Sequence, residues 1–374
     1  MTSRPGAYVH VPYCAHRCTY CSFVAVTGRE TEGAYFDAME REVDSRRGEV
    51  EGPLDAVYFG GGTPSFADPA NLRRVLEVLR GGFGVAPGAE VTAEANPDDL
   101  DERRLAALVE VGVNRFSLGV QSLRDAELVA LERRHDAAGA LAALRRVAGL
   151  GLRVSADLMI GIPGQTRESL RRSLAQVLEA GVGHVSVYLL EIEKAPRLVA
   201  LQREAPALFA GDEEAAARWE EVDDACAAAG LARYETSNWA RPGEESRHNL
   251  KYWRREPVLA LGVSAASFDG TRRRTNSGSI PAYLEAVRKT GTAFAGEETL
   301  PAGAALREGV LLGLRLAAGV PEADFSAARA TLSAADAARL DDAFEASLLA
   351  RGDGRVRLTR SGVLLSNEVF QLLL

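Results

Sequence analysis

Between residues 6 and 192, six β-rich runs alternate with stretches of helical spacing, and this alternation restricts the fold more than any other feature. The runs are AYVHVPY, LDAVYFGG, EVTAEANP, NRFSLGVQS, RVSADLMIG and HVSVYLLEI. Between them lie TEGAYFDAMEREV, PANLRRVLEVL, ERRLAALVEV, AGALAALRRVAGL and ESLRRSLAQVLEAG. Strands and helices in series build a parallel sheet with right-handed crossovers. The six strands fall short of the eight that close a barrel. The expected fold is therefore α/β, an open (β/α)6 partial barrel of the TIM type or a doubly wound sheet.

Unusual residues gather where these runs end. GGGTPS follows the second, EANP closes the third, GVQS the fourth and DLMIGIPGQT the fifth. In parallel α/β folds ligands bind at the carboxyl ends of strands, so these clusters are expected to meet on one face. After residue 212 the regularity changes. DEEAAARWEEVDDACAAAG reads as a helix, LARYETSNWA as a strand and RPGEESRHNLKYWRREP as irregular chain. The helices GAALREGVLLGLRL and SAADAARLDDAFEASLLARG precede a hairpin, GRVRLTRSGVLL, in an order that resembles a winged helix. The expected division is a partial-barrel domain over 1–235 and an α+β domain over 236–374, winged-helix-like from about 300.

The first strand ends in CAHRCTYC, which places Cys14, Cys18 and Cys21 in C-x3-C-x2-C spacing. The one other cysteine, Cys226, lies in a helical pattern and reads as a buried structural thiol. Zinc with a Cys3His set completed by His16 or His10 is one reading of the cluster. The other is an iron–sulfur cluster, which normally takes four thiolates; with three, one iron stays open to an outside ligand. Around it, glycines 60–62 let a ligand approach the backbone closely. Glu94, Gln121 and Asp157 supply polar groups at successive strand ends, and Arg133 offers a fork for a carboxylate.

CAHRCTYC at the end of a first barrel strand resembles the radical SAM superfamily motif. That resemblance implies a [4Fe–4S] cluster on Cys14, Cys18 and Cys21, with S-adenosylmethionine on the open iron and a 5′-deoxyadenosyl radical as the reactive product. YVHVPYCAHRCTYCSF, FGGGTPS, EANP, GVQS, DLMIGIPGQT, YETSNWA and HNLKYW further resemble, in order, proteins related to oxygen-independent coproporphyrinogen III oxidase. By motif position the S-adenosylmethionine contacts fall on Tyr8, Gly61, Gly62, Thr63, Glu94, Gln121, Arg133 and Asp157. The oxidase branch carries an N-terminal extension and a further cysteine where Phe23 stands; here the first strand begins near residue 6. Both departures resemble the heme chaperone branch, whose HNxxYW signature matches HNLKYW and implies heme as cargo with His248 as a ligand. The segment LLEIEKAPRLVALQRE departs from the family in lacking an EPGTP-like turn.

The implied function is heme binding and delivery to a heme-accepting protein. The alternatives are coproporphyrinogen III oxidation, against which Phe23 speaks, and radical chemistry on another substrate. A flavodoxin- or ferredoxin-type reductant is the implied partner. A formal charge of −8 excludes a bulk electrostatic case for nucleic acid. With no apolar stretch of signal-peptide or membrane-span length, a cytoplasmic monomer or dimer with at most peripheral membrane contact is expected.

Overall fold

The computed structural model describes residues 3–193 and 195–374. Six parallel strands run in sequence order: β1 Gly6–Val11, β2 Leu54–Gly61, β3 Val85–Ala95, β4 Arg115–Gln121, β5 Arg153–Ile160 and β6 His184–Leu189. Each lies beside the next, and helices such as Glu32–Ser45, Pro69–Gly82 and Glu102–Val111 cover the outer face. Side chains alternate across a strand, so one face of each takes the apolar residues. Val9, Phe59, Ala93, Phe116, Ala156 and Val185 point into the helix-covered core, whereas Tyr8, Tyr58, Glu94, Ser117, Asp157 and Tyr188 occupy the alternate positions that line the concave face. We call the space inside this curved sheet the lumen.

The sheet does not close on itself, and six further strands extend its edges. LARYETSNWA, read above as one strand, is a hairpin: β7 Ala232–Glu235 pairs with β8 Asn238–Ala240, which lies antiparallel against β6. At the opposite edge β9 Val258–Leu261 runs parallel to β1 and leads through β10 Ala266–Phe268 and β11 Arg272–Asn276 to β12 Phe294–Thr299. The result is one 12-stranded sheet. Residues 241–257, which join β8 on one lip of the curved sheet to β9 on the other, cross beneath the amino-terminal ends of the strands, where Arg115 donates to the Glu244 carbonyl, the Arg247 amide to Glu90 and Lys251 pairs with Asp55. This crossing holds RPGEESRHNLKYWRREP, which is not irregular throughout. Arg247–Trp253 is a helix whose first turn is capped by the Ser246 side chain accepting from the Asn249 amide. Its periodicity was hidden because two polar residues, His248 and Lys251, take the buried positions.

Residues 236–299, grouped above with the second domain, share the barrel's core through Trp239, Leu259, Leu261, Tyr283 and Val287. A separate core runs from Val310 to Leu373. Around it lie the helices Ala302–Leu314, Glu322–Arg329 and Ala334–Glu345 and a three-stranded sheet, whose first strand, Val320–Pro321, falls between the first two helices. The hairpin there pairs Leu349–Gly352 with Arg355–Leu358, not residues within 354–365. Asp353 and Gly354, both at positive φ, make its turn, and Arg360–Leu364 turns into a helix under the Thr359 cap.

Candidate functional site

The cysteines sit in a loop folded back onto β1. Tyr13–Cys14 pairs in parallel with Val26–Thr27, which cinches the loop at its base. Within it the Cys21 amide donates to the Cys18 carbonyl at 3.2 Å. Cys14 is buried and its thiol lies 3.3 Å from Thr63 Oγ1, while Cys18 and Cys21 are half-buried. Burial pushes the Cys14 thiol up to about 11, with help from Cys21 and Cys18; burial also raises Cys21, and the Cys18 charge adds to it. A bound cation would reverse that balance for Cys14 and Cys21.

Of the two histidines in the Cys3His reading, one is bonded elsewhere and the other is exposed. His10 is buried, with Nε2 donating to the Val24 carbonyl at 2.9 Å and Nδ1 accepting from Tyr8 at 3.2 Å. His16 is exposed. Among the described residues no three His, Cys, Asp or Glu side chains converge on a single-ion position.

Arg133 braces this loop. Its guanidinium donates to Cys18 Sγ and the Tyr20 hydroxyl, each at 3.3 Å, to Asn96 Oδ1 at 2.6 Å and to the Gly119 carbonyl at 2.8 Å. The fork expected to meet a carboxylate is thus directed at the cysteine loop, and its Nε remains buried without an acceptor.

Gly61 lies at φ +113°, and a Cβ there would meet the His10 ring at 2.6 Å. A Cβ at Gly62 would meet the Pro12 carbonyl carbon at 2.8 Å. Both positions therefore require glycine. The Gly61 amide donates to Glu94 Oε2 at 3.0 Å, and Tyr58 donates to the other oxygen at 2.9 Å. Burial, reinforced by the Asp157 charge, lifts Glu94 to about 7. Asp157 is raised too, by burial, although Ser117 and Ser155 donate to it. Gln121 sits at φ +65°, where β4 departs from its register with β5. Tyr8, Gly61, Gly62, Thr63, Glu94, Gln121, Arg133 and Asp157 thus belong to one polar interior that meets the cysteine loop.

His248 reaches the same interior from the crossing helix. It is 2% exposed, and its ring stacks on Tyr58 at 4.8 Å and on Tyr8 at 5.9 Å. Its Nε2 is 3.0 Å from the Tyr252 hydroxyl; its Nδ1 is buried without a partner. Burial, with nearby Lys251, drives its pKa down to about 3, so the ring is neutral. Tyr252 is 39% exposed and Tyr188, on β6, is 41% exposed. The sequence reading missed the residues that tie these parts together. Tyr58 links His248 to Glu94, and His184 links Ser155 to Tyr234 at 2.7 and 2.8 Å. Alternation along β2 and β6 already placed Tyr58 and His184 on the concave face, and that signal could have found them.

Two family models match the chain, the Radical SAM superfamily over residues 8–177 and the HemN C-terminal domain over 300–365. The heme chaperone HemW of Mycobacterium tuberculosis is 36% identical over 375 residues, covering 99% of this chain and 94% of its own. That of Bacillus subtilis is 32% identical over 370 residues, covering 98% of each chain. Among solved structures, coproporphyrinogen III oxidase (HemN) from Escherichia coli superposes with a TM-score of 0.84 at 24% identity, over 99% of this chain and 90% of its own.

Proposed function

Because the chain belongs to the radical SAM proteins related to coproporphyrinogen III oxidase, in the heme chaperone HemW branch, we propose that it binds heme and delivers it to an acceptor protein. Cys14, Cys18 and Cys21 hold a [4Fe–4S] cluster in this reading, and the polar interior holds S-adenosylmethionine. When bound, the cluster supplies one electron and an open iron site. The donor set suits it: three half-buried to buried thiols with a glycine cradle beside them. Arg133 keeps Cys18 in place. Glu94, poised near neutrality, exchanges the Gly61 amide for a ligand ammonium, and Asp157 accepts from ligand hydroxyls as it now does from serines. A donor protein supplies the electron, and flavodoxin or ferredoxin has the right chemistry.

The observation that carries the heme reading is the place of the HNLKYW helix. It runs beneath the amino-terminal ends of the strands, with a neutral His248 turned inward and Tyr252 capping it. Neutral imidazole is the form that ligates iron. Tyr252 swings aside, and Nε2 becomes available.

Two measurements test this. In anaerobically reconstituted protein, a reduced-cluster EPR signal should change on adding S-adenosylmethionine; a signal indifferent to it removes the open iron. In hemin titrations, His248→Ala should abolish the Soret shift of axial ligation, while Tyr252→Phe, which deletes the cap, should tighten binding. Wild-type protein that ignores hemin defeats the proposal, and turnover of coproporphyrinogen III under the same conditions would replace it with the oxidase.

A further inference from the structure

We propose that Arg315 is a carboxylate receptor at the rim of the lumen, and that it recognises an acid side chain of the porphyrin cargo. The inference rests on the heme reading above and adds to it the group by which the cargo is held.

Arg315 follows the helix Ala302–Leu314 and lies where the second core meets the crossing helix. Its guanidinium is 4.4 Å from the Trp253 ring centroid, so it stacks on the last aromatic of HNLKYW, with Phe370 at 5.9 Å. One bond is fixed, from Nη2 to Thr236 Oγ1 at 3.0 Å. Nε is buried with no acceptor, and so is the indole Nε1 of Trp253. Neighbouring arginines are treated differently: Arg255 and Arg273 both pair with Glu308, at 2.6 and 2.8 Å. Arg315 forms no ion pair with a carboxylate among the described residues.

The acid that acts on it is Glu235, and that carboxylate is already engaged. Oε2 accepts from the Thr236 hydroxyl, and Oε1 accepts from the Ser237 amide and the Asn238 side chain. Glu235 compensates the cation from a distance without satisfying its donors. Burial lowers the Arg315 pKa, with Glu235 and Tyr188 opposing, and a bound anion would offset that cost. Tyr188 brings the half-exposed wall of β6 into the same neighbourhood and is itself within reach of the Asp157 charge.

A cation stacked on Trp253, with its own Nε–H and the indole N–H both unpaired, describes a receptor for an acid on a flat apolar body. Buried donors left without acceptors are costly, and a carboxylate is the partner that a guanidinium fork fits best. Two ligands of this protein would carry one, the porphyrin with its acid side chains and S-adenosylmethionine. The position beside Trp253 favours the porphyrin.

The test compares hemin with its dimethyl ester, which keeps the ring and iron but lacks the charges. Each is titrated into full-length wild type, Arg315→Met and Arg315→Lys, followed in the Soret band. Wild type should prefer hemin by roughly ten- to a hundredfold, the span of one charge-assisted contact. Arg315→Met should bind the two alike, and Arg315→Lys should recover part of the preference. S-adenosylmethionine affinity of the reconstituted protein should not change in either variant. An Arg315→Met protein that keeps the full preference overturns the assignment, and so does wild type that binds hemin and ester equally, a result that needs no variant to fold. Loss of S-adenosylmethionine binding in the variants would give the arginine to the other carboxylate and equally overturn it. Wild type that binds neither porphyrin defeats the parent reading, a failure distinct from the others.

Discussion

Two carboxylates, buried Glu42 and half-buried Glu94, lie within the same sheet assembly and are handled in opposite ways. Glu42, on the outer helix Glu32–Ser45, accepts four hydrogen bonds: from Arg46 at 3.0 Å, Asn276 at 2.7 Å, the Gly262 amide at 3.0 Å and Tyr283 at 2.7 Å. Its partner Arg46 reaches Glu49, Ser267 and the Ala260 carbonyl as well. This network binds the helix to the β9–β11 extension. Glu94 accepts two, from Tyr58 and Gly61, with Asp157 close enough to raise it. Beside it His248, stacked on Tyr58, has a buried Nδ1 left unpaired. A charge surrounded by donors holds a fold together, and one short of them is ready for a ligand.

The sharpest way to break this contrast is to truncate the saturated member. Glu42→Ala removes one of the two carboxylates paired with buried Arg46 and leaves Asn276 and Tyr283 without their acceptor, and should cost about 3–5 kcal/mol in urea unfolding. A loss under about 1 kcal/mol would be the behaviour of a surface pair and would refute the distinction.

Next comes the pH dependence of the unloaded protein. Folding raises Glu94 from 4.5 to about 7, so the native state binds the proton more tightly than the unfolded chain does. Its stabilising effect is complete below 4.5 and is lost as the pH rises to about 7. The loss is up to about 3 kcal/mol, and Asp157 adds to it in the same direction. Glu94→Gln should flatten this slope in denaturation curves taken between those limits; an unaltered slope would show that Glu94 is not its source.

The smallest effect expected is at Gln121, whose left-handed φ a β-carbon disfavours. Gln121→Gly should stabilise the unloaded protein by about 1 kcal/mol. It should also weaken S-adenosylmethionine binding, as measured by equilibrium dialysis. A destabilised variant would mean that the side chain is structural.

The parallel core was legible because its strands are apolar on one face and its helices periodic, and the bounds Leu54–Gly61 and Glu102–Val111 coincide with the runs read from sequence. The candidate ligands around the lumen were legible because polar residues at strand ends stand out against that pattern. The helix Arg247–Trp253 was not, since its inward face carries His248 and Lys251, which periodicity assigns to water. Only the tertiary partners explain Lys251, whose ammonium meets Asp55 at 2.7 Å and the Arg4 carbonyl at 2.6 Å. The β9 strand escaped notice because its four residues form no alternation, and its pairing with β1 is set by a crossing that local sequence does not encode. Arg315 was overlooked for a related reason: nothing in LRLAAG distinguishes an arginine stacked on a distant tryptophan from one in solvent.

The crossing itself has a mechanical corollary. At one end Ala240 is in register with His184, at the other Val258 with Gly6, so both lips of the sheet are fastened to a single span of chain. The calibre of the lumen is then governed by the contour length of residues 241–257 as much as by sheet twist. Lengthening or shortening that span outside the helix that carries His248 would let the lips part or draw them together. Relatives that accept guests of different girth could differ in nothing but this measure.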